Sequence, residues 1–308
     1  MLPDAVDLPE VLLDLAVSHE DINEVIARRR ELTSDAGAMR LLEECVEELV
    51  RDIGEVPVRD PERIEVTRFT ELVDEGPQAL GRLFPVYVFL AALPFARAYH
   101  KERGIPEDVS RRTLADLGRN MAVHRRRYGS AGLHVPFWIR LHFRGELYQT
   151  GRLQFERALL GERRASVVAA AGIEAGPETP CLSVHIPDFS GPLSAAACDR
   201  SVALAREFFA RYFPEEPYAA AVCHSWLLDG QLRQYLPAQA NIVRFQERFQ
   251  LVNTPDSDPS DHAPVQFVFG NPDLEIAGLP RRTALERAVG DHLRDGGHWY
   301  TGHGWFAW

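Results

Sequence analysis

Lysine is almost missing from this chain: Lys101 is the single one among 34 basic residues, and every other cation is an arginine. A catalytic lysine is therefore excluded everywhere but at Lys101, and the arginine bias reads as the mark of a GC-rich genome. Cysteine is also scarce. Cys45, Cys181, Cys198 and Cys223 are widely spaced and form no C-x-x-C pair, which argues against zinc ribbons, redox dithiols and a disulfide framework. The longest apolar run, Leu83 to Ala96, is broken by Pro85 and Pro94 and reads as too short to cross a bilayer. The opening segment Met1 to Asp7 is acidic where a signal peptide is basic, so a cytoplasmic location is expected. A Walker A loop, a Gly-x-Ser-x-Gly elbow and a Rossmann fingerprint are all missing, which leaves nucleotide hydrolysis, α/β-hydrolase chemistry and NAD binding without support. The net charge of −11 gives no general attraction for nucleic acid or an anionic membrane. The runs Arg28-Arg29-Arg30 and Arg125-Arg126-Arg127 read as solvated helix faces.

What is present is enough for two globular parts: 308 residues, 45% hydrophobic and 26% charged. The expected class is mixed α/β (α+β), with a mainly helical domain over 1–130 and a second domain over 131–308. In the first, Leu41, Leu42, Cys45, Val46, Leu49 and Val50 recur at helical spacing, with carboxylates opposite. Ser110 to Tyr128 reads as a further helix with Ser110 as its N-cap. Ile64 to Thr67 alternates briefly, as an isolated strand does. The small residues Gly129 to Gly132 mark the expected boundary. Beyond it, Phe137, Ile139, Leu141 and Phe143 alternate with polar residues, Arg144-Gly145-Glu146 supplies a turn, and Leu147 to Leu159 returns, a pattern that predicts a β-hairpin. Gly151 suggests a bulge or a close backbone approach in the return strand. Strands are expected at 181–187, 218–228 and 265–269, and helices at 194–213, 230–249 and 283–293; the tail from Trp299 reads as an aromatic strand or turn.

Several residues are of the type that does chemistry. In Cys223-His224-Ser225-Trp226, strand alternation sends Cys223 and Ser225 one way and His224 and Trp226 the other, so Cys223 and His224 cannot pair with each other. A buried free cysteine is usually a small hydrophobe. His185 and His224 sit in apolar strands, as core histidines or as general bases. Arg152, Gln154 and Glu156 share a strand face, either solvated or lining a groove. Tyr235 reads as core or as a proton donor. His292, His298 and His303 with Asp291 fit no tight zinc spacing, and no metal is expected.

The order hairpin, strand, helix, strand, helix, strand is similar to the core of GNAT acyltransferases. More specifically, the chain resembles a bacterial family of acyltransferases with a helical N-acyltransferase N-terminal domain and a GNAT-like C-terminal domain. The segments Gly151-Arg152-Leu153-Gln154-Phe155-Glu156, Val184-His185-Ile186-Pro187 with Gly191-Pro192-Leu193, Cys223-His224-Ser225-Trp226-Leu227-Leu228, and Asn241-Ile242-Val243-Arg244-Phe245 carry the likeness. The resemblance implies that the strand ending at Pro187 splays from its neighbour and binds the pantetheine of an acyl-CoA co-substrate through the backbone of Val184 and Ile186. It implies a pyrophosphate loop at Gly191, Leu193, Ser194 and Ala195, where a helix N-terminus favours an anion. The loop departs from the family pattern in having one glycine, Pro192 and Asp188, so CoA bound in a different way, an acyl carrier protein or another thioester as donor, or no thioester at all, stay open. His185 or Glu156 then takes the proton of an amine or hydroxyl on a small-molecule acceptor, Arg152 and Gln154 hold that acceptor, and Ser225 or Tyr235 aids the departing thiolate. The alternatives are covalent transfer through Cys223 and a non-catalytic binding module that kept only the scaffold.

Overall fold

A computed structural model describes residues 2–56, 67–252 and 258–308. The chain divides into two compact units, with the division between Gln149 and Thr150. The small-residue hinge at 129–132, where the sequence places the boundary, therefore lies inside the first unit, because residues up to 149 pack with the helices before them.

The first unit is helical: α1 (Leu8–Asp14), α2 (His19–Thr33), α3 (Ala36–Val50), α4 (Arg68–Asp74), α5 (Phe84–Glu102), α6 (Glu107–Leu114), α7 (Asp116–Tyr128) and α8 (Pro136–Phe143). Helix α3 shows how the sequence dictates it. Asp35 caps it by accepting from the N–H groups of Gly37 and Ala38, and Leu42, Cys45, Val46 and Leu49 form its buried stripe. Helix α5 is the core of the unit, and with the preceding turn it is long and apolar enough to cross a membrane. Of that apolar window, 72% is buried in the unit's own core, so its composition is accounted for by packing.

Three expectations fail here. Residues 136–143 form α8, not a strand, since Pro136 fits the first turn of a helix and Ile139 and Phe143, four apart, both enter the core. Phe143 meets Phe89 of α5 at 4.9 Å between ring centroids. Arg144 is buried rather than outward: its guanidinium donates to the carbonyls of Leu49, Arg51 and Asp52 at the end of α3, where helix carbonyls lack partners. Ser110 lies within α6, and its hydroxyl bonds His100 Nδ1 at 2.7 Å instead of capping a helix. The isolated strand expected at 64–67 falls outside the described residues except for Thr67, which caps α4.

The second unit is built on a six-stranded sheet of order β1-β2-β3-β4-β6-β5. Strand β1 (Leu147–Thr150) falls at the division, with only Thr150 in this unit, whose further elements are β2 (Leu153–Leu159), α9 (Gly161–Ala170), β3 (Pro180–His185), α10 (Ala195–Tyr212), β4 (Ala220–Ser225), α11 (Leu232–Tyr235), α12 (Asn241–Gln246), β5 (Gln250–Val252), α13 (His262–Phe269), α14 (Ala284–Arg294) and β6 (Gly302–Ala307). The hairpin is β1–β2, turning at Gly151, whose φ of +74° is the left-handed region that glycine enters cheaply. Residues 265–269 belong to α13 rather than a strand, and the aromatic tail supplies β6, an interior strand between β4 and β5.

Strand alternation gives the sheet two faces. Helix α9 covers one, where Ala158, Cys181, Ala220, Val222 and Trp305 meet Ala165 and Val168. Helix α10 covers the other, where Phe155 packs edge-on against Phe209. A third cluster around Trp226, Val289 and Trp299 gathers α11 to α14.

Ser201 of α10 is fully buried, accepts from Leu153 N–H at 2.9 Å, and donates to the Thr150 carbonyl, so it ties the helix to the hairpin. Replacing it by alanine strands a buried donor and a buried acceptor. Ser201→Ala is expected to destabilise the C-terminal unit by about 1–3 kcal/mol, read as a lowered urea midpoint; an unchanged midpoint would show that water or a backbone shift satisfies both groups.

Candidate functional site

The parallel ladder between β3 and β4 is short. It pairs Cys181–Ser183 with Ala220–Val222, although β3 continues to His185 and β4 to Ser225. On its other side β3 stays paired to β2 through Gln154↔His185. The pairing of the two parallel strands thus stops before Val184 and Cys223, where the family resemblance implies a splay.

Residues paired across a ladder share a face, so Gln154, Glu156, Ser183, His185, Val222 and His224 all lie on the α9 side. Glu156, opposite Ser183, reaches diagonally to His185, with Oε2 2.8 Å from Nε2. The carboxylate is buried and the imidazole is a quarter exposed, 7% against 24% of the side chains. An ionised carboxylate only accepts, so Nε2 is the donor in this bond. This is the arrangement of an oriented general base, with a carboxylate fixing the tautomer from behind.

On the other lip of the splay, His224 stands opposite His303 of β6. Their Nδ1 atoms are 3.1 Å apart and the rings meet edge-on at 4.3 Å between centroids. His224 keeps open surface, yet the protein packed around it, with His303, Arg164, His185 and Arg163 as neighbours that disfavour a positive charge, pushes its pKa down to about 4. Beside the pair, a cavity under α9 is lined by Arg163, Arg164, Val168, Cys223, His303 and Trp305.

The remaining sequence candidates have other work. Arg152 donates from Nε to the Gly191 carbonyl at 2.8 Å and from Nη1 to the Pro187 carbonyl at 3.1 Å, and so clamps both ends of the loop after β3. Between them Phe189 takes φ +56°, a left-handed conformation rare for a bulky residue and held by that clamp. Ser194 caps α10 by accepting from Ala197 N–H at 3.3 Å, and Leu193 is buried. The Ala195 carbonyl accepts from Arg248, which also pairs with Asp199. Val184 is core and Ile186 half-buried. Gln154 is fully buried in the same row as Glu156. Ser225 accepts from Leu227 N–H at 3.2 Å, starting the turn after β4.

Tyr235 does not join the pair. Its hydroxyl lies 2.8 Å from His292 Nδ1 and its ring against Trp299. Because His292 Nε2 donates to the His298 carbonyl, Nδ1 is the acceptor, so Tyr235 spends its proton on His292. Two residues whose position matters here were not marked for this chemistry in the sequence. His303 was weighed only for metal spacing, although His303-Gly304-Trp305 alternates as a strand does; Arg248, in Gln246-Glu247-Arg248-Phe249, carries no local signal.

Cys223 is 2% exposed, and burial drives its thiol up to about 12. At pH 8 such a thiol is thiolate in roughly one molecule in ten thousand, far short of a nucleophile. Iodoacetamide at pH 8 is expected to leave Cys223 unmodified in the native protein and to label it in urea, by peptide mass mapping. Rapid native labelling would reinstate the covalent mechanism.

Two family profiles together match nearly the whole chain: N-acyltransferase N-terminal domain over residues 6–145 and GNAT-like C-terminal domain over residues 147–306. A search of curated proteins found no match. Among solved structures, a mutant acyltransferase in complex with octanoyl-CoA is 34% identical over 100% of this chain and 89% of its own, with a TM-score of 0.84. An acyltransferase in complex with decanoyl-CoA and teicoplanin, and one in complex with CoA and 10C-teicoplanin, each show 34% identity, TM-score 0.82 and the same coverage. The chain therefore belongs to the family of acyltransferases that join an N-acyltransferase N-terminal domain to a GNAT-like C-terminal domain.

Proposed function

We propose that the protein transfers an acyl group from acyl-CoA to the amino group of a small-molecule acceptor by direct attack, with His185 as general base and Glu156 as the carboxylate that orients it. The Glu156–His185 pair at the opening between β3 and β4 carries this reading. Attack by an amine needs a proton removed near neutral pH, and an imidazole oriented by a carboxylate is the group suited to that work.

The donor follows from the same opening. Beyond Ser183, β3 makes no ladder with β4 among the described residues, so its backbone edge suits the amides of a pantetheine arm. The eighteen-residue helix α10 begins just past the clamped loop, and its first N–H groups with Arg248 nearby suit a pyrophosphate. The Arg152 clamp holds that loop in place, which substitutes for the glycines the loop lacks. The relatives crystallised with octanoyl-CoA, decanoyl-CoA and CoA support CoA as the carrier in preference to an acyl carrier protein. Teicoplanin in one of those complexes and 10C-teicoplanin in another support a small-molecule acceptor.

Purified protein should release CoA from octanoyl-CoA in the presence of at least one amine from a panel of teicoplanin, glucosamine and hydroxylamine, followed with a thiol-reactive dye. Glu156→Gln and His185→Gln are each expected to lower kcat by about 10²–10⁴-fold while leaving the KM for octanoyl-CoA within a few-fold. Full activity of His185→Gln would remove the base from this mechanism, and no CoA release from any panel member by the unaltered protein would remove the acyl-CoA reading.

A further inference from the structure

The general base is on one lip of the opening, and the group that meets the leaving sulfur is unassigned. Tyr235 points its hydroxyl proton at His292, and Ser225 is drawn into the turn after β4. His224 is the polar side chain on the opposite lip. Extending the register of Ser183↔Val222 by two residues brings His185 and His224 to the same level, and His224↔His303 continues the row. A thioester carbon lying between the strands at that level meets His185 on the nucleophile side and His224 on the other.

Resting on the acyl-CoA reading above, we propose that His303 is a positioning residue that donates Nδ1–H to the bare Nδ1 of His224, so that His224 presents Nε2–H to the thioester sulfur and stabilises the thiolate as the C–S bond breaks. The Nδ1–Nδ1 bond needs one donor and one acceptor, so a neutral pair carries a single proton there, and whichever ring accepts must hold its own proton on Nε2. Burial of His224, with the guanidinium groups of Arg163 and Arg164 from α9 nearby and the rings of His185 from β3 and His303 from β6 beside it, disfavours a positive charge there and keeps the pair neutral. A neutral imidazole N–H then acts as a fixed dipole aimed at developing negative charge. Atoms balance without a further reactant. The amine nitrogen bonds to the acyl carbon, the C–S pair leaves on sulfur, and the amine proton taken by His185 is the proton that the CoA thiolate finally acquires.

The test varies the leaving group and uses whichever panel amine supports turnover. Octanoyl-CoA leaves as a basic alkyl thiolate that needs stabilising, whereas the 4-nitrothiophenyl ester of octanoic acid leaves as a thiolate stable by itself. With octanoyl-CoA, His224→Phe and His303→Leu are expected to lose about 10²-fold in kcat, the size of one lost oxyanion-type donor, with little change in KM. His303→Asn, which keeps a donor near the Nδ1 position, should recover most of that loss. With the nitrothiophenyl ester the same variants should come within a few-fold of the unaltered protein. Equal losses on both donors would overturn the proposal and assign the pair to structure or to base catalysis, and so would unimpaired turnover of octanoyl-CoA by either variant. Should the unaltered protein turn over the nitrothiophenyl ester alone, the acyl-CoA reading itself is what fails.

Discussion

The three-residue ladder between β3 and β4 constrains everything that the C-terminal unit can do. Had it run on to His185 and Ser225, the backbone amides between the strands would be spent on each other and no extended substrate could lie there. Because it stops at Ser183 and Val222, two strand ends are left side by side with their polar residues on one face. The antiparallel pairing on either flank keeps them in register: β2 holds β3 through Gln154↔His185, and β6 holds β4 through His224↔His303. The opening is bordered by rigid ladders, which is what fixes Glu156 on His185 and His303 on His224.

Much of this was legible in the sequence, and what was missed has a physical pattern. Helices α3 and α10, of 15 and 18 residues, carry several turns of apolar repeat, enough to separate a period of 3.6 from one of 2. Over the eight residues of α8 and of α13 the two periods share most of their apolar positions, so the pattern suits a strand as well, and tertiary packing makes them helices. Glu156 and His185 stood out as polar residues in apolar strands. Their pairing could not be read, since it depends on the β2–β3 register, which lies in the assembled sheet and in neither strand alone. His303 was opaque for the same reason, its partner being 79 positions away.

The structure sorts residues of similar chemistry by the hydrogen bonds already made. Arg152 serves the loop that precedes α10, Tyr235 gives its proton to His292, and Ser194 and Ser225 hold backbone N–H groups. Cys223 sits in the core at 2% exposure, where burial holds its thiol in the neutral form. The two dyads differ from these in that each joins two side chains across a strand ladder on the α9 face of the sheet.

The place of β6 in the sheet bears on how the unit comes to be folded. It lies inside the sheet, between β4 and β5, yet it is the strand contributed latest in chain order. Strands β4 and β5 have no direct pairing among the described residues and are joined only through it. Until residues 302–307 have left the ribosome, β4 has an unpaired edge and β5 has no sheet to join. Pairing so distant in sequence is costly to close, and until it forms the edge of β4 is open to wrong partners. Insertion of one strand thus completes the sheet and delivers His303 to His224 in the same event, so that a sheet lacking this strand also lacks the second dyad.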